Sequence, residues 1–184
     1  MVQNLTNRLI QLGTPWLTLL AVIIFGGFLV WVLPQESQRS QAMTGDASAP
    51  DTQFWYSAEE LYATAEAFGE TGRSYYIRSR FTFDIIWPLA YWFFLTAALA
   101  FWLRHTAEHS PWRQLIVLPT AAMFLDFGEN ITVSLVMTRF PEPPGISGSL
   151  APLFTASKWL VIALAFAVLI ACAAWRWTRL RWQS

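Results

Sequence analysis

The sequence predicts an all-α fold: a four-helix transmembrane bundle with a short amphipathic helix on its extracytoplasmic side. Three observations predict it. Apolar and aromatic types make up 55% of the 184 residues and charged types only 13%, against roughly 25% charged in a soluble domain. Four apolar stretches each approach the ~20 residues that a bilayer crossing requires. The connections between them also differ in charge.

The first span runs from Pro15 to Leu33. Thr14 is placed to cap it, Pro15 suits its first turn, and Pro34 is expected to end it. Its 19 residues exceed the roughly 7–15 of a signal-peptide core, which favours a retained helix. The later spans cover about 81–103, 114–138 and 152–175. Between the first two lies a long connection in two parts. Residues 34–52, rich in Ser, Gln, Ala and Gly, read as a flexible linker. Order returns at a capping box, Ser57 to Glu60, opening a helix over about 58–68 with Leu61, Tyr62, Ala65 and Phe68 at helical spacing. Gly69 and Gly72 supply its stop. The helix covers the end of the bundle or acts as a lid.

Orientation follows from arginine placement. Arg8, Arg104, Arg113, Arg176, Arg179 and Arg181 share one side with a single acid, Glu108. The long connection carries four Arg against seven acids. Both termini are therefore expected in the cytoplasm, with 34–80 and 139–151 outside. Zero formal net charge gives no footprint for nucleic acid. The single cysteine, Cys172, excludes an internal disulfide. His105 and His109 are spaced i, i+4, as two metal ligands on one helix would be. With no cysteine nearby they read as a solvated interfacial pair, so neither metal nor cofactor is expected.

Ionisable groups inside spans are costly and mark candidate sites. Asp84, Asp126, Glu129 and Lys158 qualify, and Lys158 is the only lysine. At 1.5 Å per residue, Asp84 lies roughly 5 Å deep, Lys158 about 9 Å, Glu129 about 15 Å and Asp126 about 20 Å. Asp126, Glu129 and Asn130 share a helix face, as do Thr155 with Lys158, and Asp84 with Tyr91. Lipid offers polar groups no partners, so these faces turn inward. The expected result is an outward-facing polar pocket formed by Asp84, Tyr91, Asp126, Glu129, Asn130, Thr155 and Lys158, with Arg78 and Arg80 above it. Lys158 is expected to contact Glu129. Asp126, deeper, would then lack a full cation.

Such a pocket suits a small amphiphile, or an accessory or assembly subunit meeting a partner membrane protein. The alternative is a membrane enzyme acting on a lipid or isoprenoid, with Asp126 or Glu129 as acid/base. The same residues would equally serve as a lock between helices.

The run Ala58-Glu-Glu-Leu-Tyr62, Gly69-Glu-Thr-Gly-Arg-Ser-Tyr-Tyr76, Asp84, Pro88, Tyr91, Leu118-Pro119, Leu125-Asp-Phe-Gly-Glu-Asn130 and Lys158-Trp159 resembles a group of uncharacterised bacterial four-span membrane proteins. It covers residues 57–160 and implies a bacterial inner-membrane location, but brings no activity with it. Four spans with buried carboxylates are loosely similar to the sterol-isomerase (emopamil-binding) superfamily. That family's motif does not match residue by residue, so no catalytic residue is carried over.

Overall fold

The computed structural model describes residues 2–45, 49–106 and 110–181. Among these the chain is all-α. Helix α1 (Val2–Ile10) precedes α2 (Pro15–Gly27), a π-helical turn (Phe28–Val32) and α3 (Leu33–Thr44). A 3-10 turn (Pro50–Thr52) leads to α4 (Ala58–Ala67), α5 (Gly69–Arg80) and α6 (Phe83–Leu103). A second 3-10 segment (Pro111–Val117) opens into α7 (Leu118–Arg139), and α8 spans Gly145–Arg181. Four helical runs, Pro15–Thr44, Gly69–Leu103, Pro111–Arg139 and Gly145–Trp175, are long and apolar enough to cross a membrane. The chain is accordingly a multi-pass membrane protein. The apolar windows of the first and fourth runs are largely uncovered by protein, which in a bilayer leaves them to lipid.

The chain divides into two compact units. One comprises 1–26, 90–122 and 160–184. Its core joins Leu9 and Ile10 of α1 to Leu99, Ala100 and Leu103 of α6 and to Ile116. There Gly13 lies so close to α6 that a Cβ would fall 2.4 Å from the Ala100 carbonyl carbon. The Arg104 guanidinium donates to the Gly13 carbonyl at 2.7 Å. The other unit comprises 27–89 and 123–159, and it contains most of the candidate residues. Its core packs Leu61, Ala65 and Phe68 with Tyr56, Tyr76, Val133, Val136, Met137 and Ala151.

Pro34 does not end the first helix, and 34–44 is not a flexible linker. The π turn directly before Pro34 loosens the backbone where the proline ring would otherwise clash with the preceding turn. Gln, Glu, Arg, Ala and Met then continue the helix, and these are strong helix formers despite their polarity. Thr44 is buried, and Gly72 passes close to its backbone. Gly72 is therefore a close-packing residue inside α5 and does not stop a helix. Gly69 is the stop, with φ +60° after the last turn of α4. The capping box is complete: Ser57 Oγ accepts from the Glu60 amide at 3.1 Å and Glu60 accepts from the Ser57 amide at 2.7 Å.

The fourth span starts at Gly145, so Pro152 lies inside it. Its glycines and serines suggest a loop. Burial of Ala151 in the core holds the segment helical instead. The extra turns place Lys158 thirteen residues into the helix, about 20 Å from its start, within reach of both Asp126 and Glu129.

Pro88 sits within α6 and has no N–H for the Asp84 carbonyl four residues before it. Asn130 of α7 replaces it: its side-chain amide donates to the Asp84 carbonyl at 3.0 Å. A neighbouring helix thus restores a backbone bond that lipid could not replace. Asn130→Leu should destabilise the protein by about 1–3 kcal/mol, the cost of a buried unmet acceptor. Pro88→Ala, which returns the donor, should suppress most of that loss. Thermal or denaturant scans of the two single variants and the pair check this.

Candidate functional site

The polar side chains of the second unit fall into three neighbouring groups, around Lys158, Arg80 and Glu36. In the first the Lys158 ammonium donates to Glu129 Oε2, and Asp126 Oδ1 lies 3.8 Å from the same nitrogen. Glu129 is 1% exposed and Lys158 5%, so each needs the other. Asp126 is therefore not left without a cation, as its greater depth suggested. The ammonium is shared between the two carboxylates, which one turn of α7 brings to one face. Gly128 allows the close approach of α7 and α8, since a Cβ there would meet the Phe154 ring at 2.6 Å.

Thr155 Oγ1 donates to Glu129 Oε1 at 2.7 Å and lies 2.9 Å from the Tyr56 hydroxyl. A hydroxyl has one proton. Thr155 directs it at the carboxylate, so Tyr56 donates to Thr155. Burial, together with the nearby negative charges of Glu129 and Asp51, holds the Tyr56 phenol well above its usual range. Tyr56 therefore stays neutral and serves as a donor.

The second group centres on Arg80. Its guanidinium pairs with Asp51 at 3.1 Å and with Asp84, one helical turn on, at 2.7 Å. It also lies 4.4 Å from the centre of the Tyr76 ring, and the Tyr76 hydroxyl donates to Asp51 at 2.9 Å. Burial pushes the Asp51 carboxyl up. The charges of Arg80 and Lys158, with hydrogen bonds from Tyr76 and Arg80, outweigh burial and hold it below its ordinary 3.8. Glu36 of α3 accepts from the hydroxyls of Tyr75 at 2.8 Å and Ser79 at 3.2 Å.

A cavity of about 460 Å³ opens between α3, the Pro50–Thr52 turn, α5 and the start of α6. Its polar wall includes Glu36, Asp51, Arg80 and Asp84, and its apolar wall includes Leu33 and Trp87. Of the residues expected to form a pocket, only Asp84 lines it. Asp126, Glu129, Asn130, Thr155 and Lys158 lie together in the same unit but are packed and buried. Tyr91 is buried within the other unit. Three charged lining residues, Glu36, Asp51 and Arg80, were not among the expected pocket members. Arg80 and Asp84 are spaced i, i+4 on one face, a readable signal. Glu36 and Asp51 fell within a stretch whose polarity suggested a linker.

Arg104 Nε donates to His105 Nε2 at 3.1 Å, and His109 lies outside the described residues. No group of three metal-binding side chains occurs among the described residues. No family model, curated protein or solved structure matches the chain.

The lowered Asp51 value makes a pH prediction. Its stabilisation is complete above the unfolded carboxyl's 3.8 and is lost as pH falls through the lower folded value. Asp51→Asn should therefore cost most near neutral pH. The gap in melting temperature between wild type and variant should close below about pH 4.

Proposed function

We propose that this membrane protein binds the polar end of a small amphiphile in the cavity between α3, α5 and α6. In this reading it sits in a bacterial inner membrane with both termini in the cytoplasm. The two-sided wall of the cavity carries the reading. Leu33 and Trp87 offer apolar surface at the level where the first span changes from apolar to polar sequence. Glu36, Asp51, Arg80 and Asp84 offer charge on the other side. The volume of about 460 Å³ falls within the roughly 300–1,000 Å³ of small-molecule sites. The resemblance to bacterial four-span proteins and the placement of Arg8, Arg104, Arg113, Arg176, Arg179 and Arg181 on one side support the location and the orientation.

An accessory or assembly role is favoured by a different observation. The Glu129–Lys158–Thr155 group is packed and bonded within itself, as a lock between helices requires. The enzyme alternative, chemistry on a lipid or isoprenoid by Asp126 or Glu129, needs a route to substrate, and neither residue lines the cavity.

Native mass spectrometry of the protein released from its own membranes should show a bound amphiphile. Ser40→Trp, which fills the cavity, should reduce its occupancy by about tenfold. Equal occupancy in both proteins would reject the cavity as the site. A C-terminal reporter fusion should score as cytoplasmic, and a periplasmic score would reverse the orientation.

A further inference from the structure

Three carboxylates and one guanidinium face the cavity, so its wall carries an excess of negative charge. The guanidinium is already committed, with Asp51 and Asp84 each holding one of its terminal nitrogens. Glu36 differs from both acids. Its hydrogen bonds come from two neutral hydroxyls, those of Tyr75 and Ser79, and it forms no ion pair among the described residues. Those hydroxyls supply hydrogen bonds but bring no positive charge to its carboxylate. An anionic headgroup would meet repulsion here, and a cationic one would complete the balance.

An independent observation concerns Arg80. Its side chain is nine-tenths buried on the cavity wall, and its Nε–H finds no acceptor. That nitrogen is enclosed by protein, so a ligand meets Arg80 through the part of the side chain that lines the cavity. The site thus asks for a positive donor group near Glu36 and an accepting oxygen near Arg80.

We propose that the cavity takes the headgroup of an aminophospholipid, with a primary ammonium at Glu36 and the phosphate on the Arg80 side of the wall. This rests on the amphiphile-binding reading above and specifies its chemistry. The primary ammonium is preferred over a trimethylated one because only the former has N–H protons to give to a carboxylate. A glycerol headgroup offers hydroxyls but no cation. The lipid tails follow Leu33 and Trp87. The chemistry is shared with free phosphoethanolamine, but the apolar wall is wasted on a molecule without tails.

The test titrates the full-length protein in detergent, by native mass spectrometry, with short-chain phosphatidylethanolamine, phosphatidylcholine, phosphatidylglycerol and free phosphoethanolamine. Wild type is expected to bind phosphatidylethanolamine about tenfold or more above each of the others. Glu36→Gln, nearly the same shape, should erase that preference. Ser37→Lys, which brings a cation into the cavity, should erase it independently if the first variant folds poorly. Equal binding of phosphatidylglycerol, or a preference unchanged in both variants, would overturn the headgroup assignment and leave amphiphile binding standing. Free phosphoethanolamine binding as tightly as the lipid would overturn the lipid assignment. No lipid binding above that of Ser40→Trp would reject the amphiphile reading itself.

Discussion

The ion pair between Lys158 and Glu129 is the constraint on which the second unit depends. A lone charge at the centre of a membrane helix costs about 2.5–3.5 kcal/mol on insertion scales. Neither residue is tolerable alone, so α7 and α8 must meet in the one register that brings them together. Gly128 permits the approach by leaving room for Phe154. Thr155, three residues before Lys158 on the same face, then hydrogen-bonds the second carboxylate oxygen. Tyr56 completes the chain from outside the spans and ties the segment before α4 to α8.

The same logic of replacement recurs at Pro88. A proline in a membrane helix removes a backbone donor that no solvent can supply, and the Asn130 amide fills the gap from α7. The Arg80 group extends the pattern: one cation placed between two acids, with an aromatic ring beneath it. These buried polar groups define which helix faces meet. The cavity opens where the pairing is incomplete, beside Glu36. Candidate function therefore sits at the edge of these polar groups, and their packed centre serves the fold.

Much of this was legible in the sequence. The spans followed from apolar run length, and the cap of α4 from Ser57 and Glu60. The Lys158–Glu129 contact followed from the cost of burying each charge. The misplaced elements share a cause. Pro34, Pro152 and the Ser- and Gly-rich segments beside them signal breaks by local preference, yet tertiary packing around Thr44 and Ala151 keeps both segments helical. Shared faces on isolated helices correctly grouped Asp126, Glu129, Asn130, Thr155 and Lys158. They could not tell a packed network from an open pocket, because the volume left between helices depends on side-chain packing that periodicity does not encode. Glu36 and Asp51 were missed because a polar stretch reads as linker until its backbone is seen to fold against α5.

The most direct test of the central claim is a double-mutant cycle on Lys158→Met and Glu129→Gln, measured by reversible unfolding in detergent or bicelles. Lys158→Met leaves two buried carboxylates without a cation and Glu129→Gln leaves Lys158 with Asp126 alone; removing one member of a buried pair costs about 3–5 kcal/mol. The double variant is expected to lose less stability than either single one. Losses that simply add would show that the two residues do not interact, and would contradict the ion pair as the constraint that sets the packing of α7 against α8.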